Sequence, residues 1–237
     1  HTDDVILSDR SQRMSIRSPP TGLQLEREIK VGSKCTTVCH YKGYTYVGSY
    51  GGAVDRIDDQ GNVTSAFIEL PNTVISIRAL NDQLFILTYD KPYIMYLFDL
   101  NGPQIHTWNH IWNHHDINEN PFGNKISIIK NQLAVADVSN KRITLYTLAG
   151  KVIRHIQCAE ITAHTRISMC ECHGKSVIIS CLNPAKVFKF NLTSGAVEWT
   201  NTDITAPTTV RCYGQYVLVS GEYIRTTQIP IINSNTG

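Results

Sequence analysis

Histidine and tryptophan side chains crowd one segment of this chain. Its members are His106, Trp108, His110, Trp112, His114 and His115. Imidazole is a common zinc ligand, and His106, His110 and His114 recur every four residues, which would place them on one side of a helix. On an extended strand they also share a face, but successive members lie more than about 10 Å apart. The segment therefore favours an exposed stretch that contacts a ligand or a neighbouring element over a metal site, and packing of the two indoles between elements is the alternative.

The cysteines form no recognisable metal-binding pattern. The chain has seven of them, so they cannot all pair with one another. Cys170-Glu-Cys172-His173 lacks the two-residue spacing of a zinc knuckle. Cys35, Cys39 and Cys212 lie on predicted inner strands and are predicted to be buried free thiols that pack as small hydrophobic groups.

Familiar catalytic motifs are missing from the sequence. It contains no Gly-x-Ser-x-Gly elbow, no phosphate-binding glycine loop and no His-Glu-x-x-His helix. The nearest carboxylate pair, Asp58-Asp59, sits in a turn next to Gly61. We therefore predict a protein that is not an enzyme and that needs neither cofactor nor metal.

Composition restricts the class of protein further. Of 237 residues, 42% are hydrophobic and 18% are charged, as in a compact globular domain. The longest apolar runs are far shorter than the roughly 20 residues that cross a bilayer, so no membrane partner is expected. Lys plus Arg number 22 against 20 Asp plus Glu, and this balance identifies no partner.

The elements that must position these side chains follow a repeat marked by glycine. Glycines that come after a polar turn recur about every 43 residues, at Gly22, Gly61, Gly102, Gly150, Gly195 and Gly237. Three short strand-like runs precede each glycine and one follows it, with no helical periodicity anywhere. Four strands per 40 to 50 residues are typical of a β-propeller blade. We predict an all-β, six-bladed β-propeller with four-stranded blades, and a plain barrel or sandwich is the alternative.

Blade boundaries follow from the same period. The whole chain, 1–237, is predicted to be a single propeller domain, with blades at roughly 1–31, 32–72, 73–124, 125–165, 166–206 and 207–237. The terminal blades are incomplete, because 1–31 holds only three strands and the sequence stops where a last strand should begin. We expect the chain to be clipped from a longer polypeptide, since an unpaired blade edge would expose backbone donors and acceptors.

One blade carries a sharper motif, in residues 133–152. The characteristic positions are Asp137, Asn140, Arg142, Ile143, Tyr146 and Gly150. This stretch resembles an NHL repeat, the propeller unit at the C-terminus of many tripartite-motif ubiquitin ligases. The resemblance implies a propeller that binds protein or RNA on the face formed by loops between second and third strands and by loops between blades.

Transferred to this sequence, that face gives the candidate ligand-binding residues. They are Arg13, Tyr50, Lys91, Trp112, His114, Arg142, Lys186, Tyr223 and Arg225. Basic and aromatic side chains of this kind could contact the phosphates and stacked bases of single-stranded RNA. For Arg142 the competing interpretation is an ion pair with Asp137 that fixes the blade's own turn. Lys91, Lys186 and Arg225 lack a clear aspartate partner, and the competing interpretation for them is solvated loop charge.

Three functions remain open on the sequence. The leading hypothesis is a non-catalytic binding propeller that presents a loop face to a protein or to single-stranded RNA, in the cytoplasm if it is tripartite-motif-like. The alternative is a secreted carbohydrate-binding lectin, in which Trp108, Trp112, Tyr50 or Tyr223 stacks on sugar, and the sequons at Asn62 and Asn191 favour it. The third is a purely structural oligomerisation unit. The oligomeric state is open.

Overall fold

Two compact units divide the chain, His1–Asn113 and His114–Gly237. The computed structural model describes residues 5–8, 13–18, 24–32, 34–89, 93–101, 105–112, 126–138, 140–162, 167–171, 175–213, 215–221 and 231–236, with the backbone alone at 5–8, 13–18, 24–28, 93, 105–112, 170–171, 213 and 221. No helix within these residues is long and apolar enough to cross a membrane.

The first unit holds three antiparallel sheets, in which the strands pair in chain order. The first sheet is β1 (Val5–Ser8), β2 (Arg13–Ser18) and β3 (Gln24–Lys30). The second is β4 (Cys35–Tyr41), β5 (Tyr44–Ser49), β6 (Ala53–Asp58) and β7 (Val63–Glu69). The third is β8 (Val74–Leu80), β9 (Gln83–Thr88), β10 (Tyr93–Asp99) and β11 (Ile105–Trp112).

The second unit repeats this arrangement in three further sheets. The fourth sheet is β12 (Ile126–Ile129), β13 (Gln132–Asp137), β14 (Arg142–Thr147) and β15 (Val152–Gln157). The fifth is β16 (Ile167–Glu171), β17 (Ser176–Cys181), β18 (Lys186–Asn191) and β19 (Val197–Asn201). The sixth is β20 (Pro207–Tyr213), β21 (Tyr216–Gly221) and β22 (Ile231–Asn233).

The periodic glycines have a backbone reason. Gly61, Gly150 and Gly195 have φ of 89°, 83° and 72°, each in the turn between the third and fourth strands of its sheet. Residues other than glycine rarely adopt this left-handed backbone conformation, so a glycine marks the same turn in each of these three sheets. Gly22, Gly102 and Gly237 lie outside the described residues.

Successive sheets pack face to face within each unit. The first strands of neighbouring sheets contact one another, β4 with β8 and β12 with β16, and β16 in turn contacts β20. Second strands also contact the first strand of the next sheet, as β5 does with β8 and β17 with β20. β1 contacts β4 as β5 contacts β8, that is, as a second strand contacts the first strand of the next sheet. β1 therefore corresponds to the second strand of a four-stranded sheet. Consecutive meanders stacked in this manner are propeller blades.

The predicted all-β propeller of four-stranded sheets is therefore confirmed at the level of fold class. A ring of six complete blades is not shown. Only four of the sheets in the described residues have four strands, and the first and last have three each.

Burial falls from the second strand outward. All six residues of β17 are buried, as are five of the six in β9 and in β13. By contrast, β15 has a single buried residue, Ile156. The core between the fourth and fifth sheets contains Phe188 and Phe190, both almost fully buried. The inner strands thus supply the core, and polar chemistry is left to the loops and the outer strands.

Gly48 marks a close approach between the second and third sheets. A Cβ added there would lie 2.5 Å from Val74 Cγ1 and 2.9 Å from Thr37 Cγ2. The Thr36 hydroxyl donates to the Gly48 carbonyl oxygen at 3.0 Å and also hydrogen-bonds to the Val74 carbonyl oxygen. A side chain at position 48 would push these two sheets apart.

We expect Gly48→Ala to lower the free energy of unfolding by about 1–3 kcal/mol, the usual cost of overpacking a core. Urea titration followed by tryptophan fluorescence measures it. Gly51→Ala is the matched control, because a Cβ at Gly51 meets nothing within 4 Å. Similar midpoints for the two variants would contradict the close approach at Gly48.

Candidate functional site

The loops that the sequence predicts as a binding face lie at one edge of the sheets. We call this the loop edge: residues 31–32, 34, 50–52, 70–73 and 89 in the first unit, and 138, 140–141, 158–162, 182–185 and 202–206 in the second. The turns at the opposite ends of the strands form the turn edge.

Hydrogen bonds tie the loop edge together in the first unit. Tyr50 N–H donates to the Lys34 carbonyl oxygen at 3.2 Å, and the Thr73 hydroxyl donates to the Tyr50 carbonyl oxygen at 2.7 Å. Tyr89 N–H then donates to the Thr73 carbonyl oxygen at 2.7 Å. The joining loop at Thr73 is thus bonded to the loops between second and third strands on both sides, and the joining loop at Lys34 to the loop that follows it. Bonds of this kind hold loop backbone in one conformation, which favours a preformed surface.

The second unit uses the same connection. Cys158 N–H donates to the Lys141 carbonyl oxygen at 2.8 Å, and the Thr162 hydroxyl donates to the Asn183 carbonyl oxygen at 3.2 Å. The joining loop 158–162 therefore bridges the loops of the fourth and fifth sheets. The two units share this construction although their loop sequences differ.

Asp137 organises the loop that carries the sharpest motif. Its buried carboxylate accepts from Arg142 Nε at 2.8 Å and from Asn140 Nδ2 at 2.9 and 3.1 Å. The backbone N–H of Asn140 donates to the same carboxylate at 3.3 Å. The ion pair that was the competing interpretation for Arg142 is confirmed, so this guanidinium is already engaged by its own blade.

Lys186 differs from the solvated loop charge that was one interpretation for it. It is only 8% exposed and forms an ion pair with Glu160 in the preceding joining loop. Its Nζ also lies 5.5 Å from the centre of the Phe188 ring. The partner was missed because Glu160 is 26 residues away in sequence, and only the packing of the fourth sheet against the fifth brings the two together.

Several loop-edge residues nevertheless remain exposed to solvent. They are Gly32, Lys34, Gly51, Pro71, Asn140, Lys141, Ala159, Asn183, Pro184, Thr202, Asp203 and Thr205. Tyr50, one of the predicted ligand contacts, is half-buried among them. This part of the surface is polar. It contains two lysines, Lys34 and Lys141, whose side chains form no ion pair among the described residues.

The structure leaves the other predicted contacts untested. Arg13 lies at the start of β2 and Trp112 at the end of β11, where the backbone alone is described. Lys91, His114, Tyr223 and Arg225 lie outside the described residues. The histidine-rich segment forms the outer strand β11 over Ile105–Trp112, so it is extended as predicted. His115 lies beyond that strand and outside the described residues.

Three exposed lysines of the second unit lie at the turn edge. Lys130, Lys151 and Lys175 are exposed in the turns at that edge. The turns at 130–131 and 148–151 contain no Asp or Glu, and neither do residues 172–175 of the sequence. In the first unit the turn edge carries Lys42 paired with Asp82 at 2.6 Å, and this hydrogen bond raises the pKa of Lys42 and lowers the pKa of Asp82. None of these turn-edge lysines is among the predicted ligand contacts.

Metal ligands and thiols give no further candidate at the loop edge. No group of three or more His, Cys, Asp or Glu side chains that could hold a metal occurs within the described residues. Cys35 is buried, and Cys39 and Cys212 are half-buried. Cys158 and Cys181 are buried thiols, and burial raises the pKa of Cys158 and raises the pKa of Cys181 to about 12.

Comparison with known proteins supports the fold alone. No family model matches the chain, and no curated sequence does. A protein of unknown function from Bacteroides caccae matches with a TM-score of 0.68 and 14% identity, over 98% of this chain and 90% of that one. BamB from Moraxella catarrhalis matches with 0.54 and 14%, over 98% and 83%. The computationally designed Ika8 protein matches with 0.58 and 9%, over 99% and 69%.

The likeness to BamB identifies the class of protein as a β-propeller. It does not single out the NHL family, so that resemblance rests on residues 133–152 of the sequence. Propellers commonly mediate binding.

We expect a double-mutant cycle on Asp137→Ala and Arg142→Ala to give a coupling energy of about 1–3 kcal/mol, because the carboxylate is buried. Chemical denaturation of the four proteins measures it. The matched control is the cycle on Lys42 and Asp82, whose side chains are 62% and 33% exposed. Its coupling should be too small to separate from error, and equal coupling in both cycles would contradict a special role for Asp137.

We also expect Cys181 to resist iodoacetamide at pH 8 in the folded protein, since a thiol with a pKa of about 12 is almost wholly protonated there. Mass spectrometry of native and urea-unfolded samples after iodoacetamide treatment tests this resistance.

The same thiol makes stability depend on pH. The unfolded thiol ionises near pH 9, so the free energy of unfolding should fall as the pH rises above 9. Thermal melts of wild type and Cys181→Ala between pH 8 and 10.5 test this, and parallel curves would contradict it.

Proposed function

We propose that this chain is a non-catalytic binding module whose loop edge contacts another protein. The observation that carries the proposal is the set of hydrogen bonds that link successive loops at that edge. A surface whose backbone is already fixed loses little conformational entropy on binding, which favours affinity for a partner of complementary shape. The exposed loop residues around Tyr50 and Lys141 would form the contact area.

A protein ligand is favoured over single-stranded RNA because of the charges. RNA binding needs several cations free to meet phosphates. Two of the predicted cations, Arg142 and Lys186, are instead engaged by Asp137 and Glu160. Each acid cancels the charge that a phosphate would meet. Protein surfaces require no such excess of positive charge.

Carbohydrate binding is the second candidate function. It depends on aromatic side chains at Trp108, Trp112, Tyr50 and Tyr223, of which Trp108, Trp112 and Tyr223 lie outside the described side chains. Tyr50 is described and half-buried, with its backbone bonded to Lys34 and Thr73. The kinship with NHL repeats and a cytoplasmic location belong to this proposal as well, and the Asp137 motif supports the kinship.

Gly51 provides a direct experiment. It is exposed, and a Cβ there meets nothing within 4 Å, so a large side chain should be tolerated by the fold. We expect Gly51→Trp to keep the melting temperature of the wild type and to abolish capture of protein partners, because the indole would occupy the contact surface. Affinity capture followed by mass spectrometry, with binding of the identified partner then measured by calorimetry, checks this.

Asn101→Trp is the matched control, because Asn101 is exposed at the turn edge of the same unit. It should bind partners as the wild type does. Equal binding by both variants would place the contact surface elsewhere. Recovery of crosslinked RNA whose affinity falls steeply with salt would replace the protein ligand with RNA, and specific spots on a glycan array would replace it with sugar.

A further inference from the structure

Arg56, on the third strand of the second sheet, lies over two aromatic rings. Its Cζ is 4.9 Å from the centre of the Tyr44 ring and 4.2 Å from the centre of the Phe67 ring. A guanidinium is planar, and its five N–H groups all lie in that plane. Stacking against aromatic faces thus fixes the orientation of the plane and leaves the N–H groups to other acceptors.

The guanidinium has no acceptor of its own within the described residues. Arg56 Nε is buried and makes no hydrogen bond, and no ion pair or other hydrogen bond of Arg56 is formed there. The four other arginines with described side chains all have an acceptor. Arg142 binds Asp137, and the remaining three, Arg78, Arg154 and Arg211, donate to backbone carbonyl oxygens. A buried donor without a partner is rare in folded proteins and calls for a cause.

The nearest acids in sequence are already occupied. Asp55 points to the opposite face of the sheet from Arg56, because side chains alternate along a strand. Its carboxylate accepts from Gly32 N–H at 2.9 Å and Ala66 N–H at 2.8 Å. Asp58 shares the face of Arg56, but its two oxygens accept from the backbone and side chain of Asn62, each at 2.8 Å. Neither acid is therefore bonded to Arg56.

The rings around Arg56 differ in how firmly they are held. Phe67 packs against Phe98 of the third sheet, with ring centres 5.6 Å apart and planes at 68°, and lies 6.1 Å from Tyr46. Tyr44, by contrast, is 39% exposed. The guanidinium is thus near solvent where it contacts Tyr44, and it contacts a ring held in place by packing at Phe67.

We propose that Arg56 and Tyr44 form a binding site for one carboxylate group, supplied by an acidic side chain of a partner polypeptide. A planar carboxylate matches the planar fork of a guanidinium and takes two parallel hydrogen bonds from it. Asp58 and Asp59 lie two and three residues further along the chain and add negative charge, which repels a phosphate dianion more than a carboxylate monoanion. This site lies on β6, outside the loop edge, and does not depend on the proposed function.

The experiment follows the arginine Nε–Hε signals of the ¹⁵N-labelled protein by NMR. The probes are N-acetyl-glutamate amide and inorganic phosphate, each added at constant ionic strength. We expect the glutamate derivative to shift the Arg56 signal along a saturating curve, with a Kd in the millimolar range, whereas the signals of Arg78 and Arg142 stay in place. Phosphate should bind at least about fivefold more weakly. No shift of Arg56, a shift shared by all three arginines, or equal binding of phosphate would overturn the proposal.

Two variants test the geometry, with the backbone amide of Thr64 as the reporter because Thr64 pairs with Arg56 across β6 and β7. Arg56→Lys keeps the positive charge but loses the planar fork, so we expect at least tenfold weaker binding of the glutamate derivative. Tyr44→Phe keeps the ring and should bind as the wild type does, whereas Tyr44→Ala should bind more weakly. Unchanged affinity in Arg56→Lys would overturn the proposal. If that variant fails to fold, unchanged affinity in Tyr44→Ala would overturn it.

Discussion

Burial of the inner strands on both faces is the constraint on which the rest of this structure depends. A sheet packed between two neighbours has no solvent face, so its second strand must be buried throughout, as β17 is. Charged side chains are then largely left to the ends of the strands and to the outer strands, whereas small hydroxyls such as Ser127, Ser168 and Ser180 are buried on inner strands. Recognition falls to the loops and turns at the two edges and to the outer strands, and the backbone polar groups of the loops must find partners where the sheets meet.

The hydrogen bonds at the loop edge follow from this constraint. A joining loop such as 158–162 passes from an outer strand to the inner strand of the next sheet, and it crosses the loops on both sides. Its N–H and C=O groups are partly shielded from water there, so bonds such as Cys158 N–H to the Lys141 carbonyl oxygen replace lost hydration. Rigidity of the loop edge is therefore a consequence of satisfying the backbone, and binding can make use of it.

Some basic side chains of this protein form ion pairs within the fold, and others have no acceptor among the described residues. Arg142 and Lys186 look available in the sequence, but each neutralises a carboxylate of the fold. Arg56 gives the opposite case, because nothing in its sequence surroundings marks it, yet it lies over two rings without an acceptor. A basic residue in this protein can be assigned to structure or to recognition only after its neighbours from other strands are known.

The sequence by itself determined what depends on local conformation. Gly61, Gly150 and Gly195 mark turns that need a left-handed backbone, and alternation of apolar and polar residues gives the strands between them. The Asp137–Arg142 pair was also readable, since its members are five residues apart in one hairpin. The pairing of Lys186 with Glu160, the aromatic rings around Arg56 and the bonds between loops were decided only by the tertiary structure. Glu160 and Lys186 meet only because the fourth sheet packs on the fifth, whereas Tyr44, Arg56 and Phe67 lie on three strands of one sheet and meet through strand pairing.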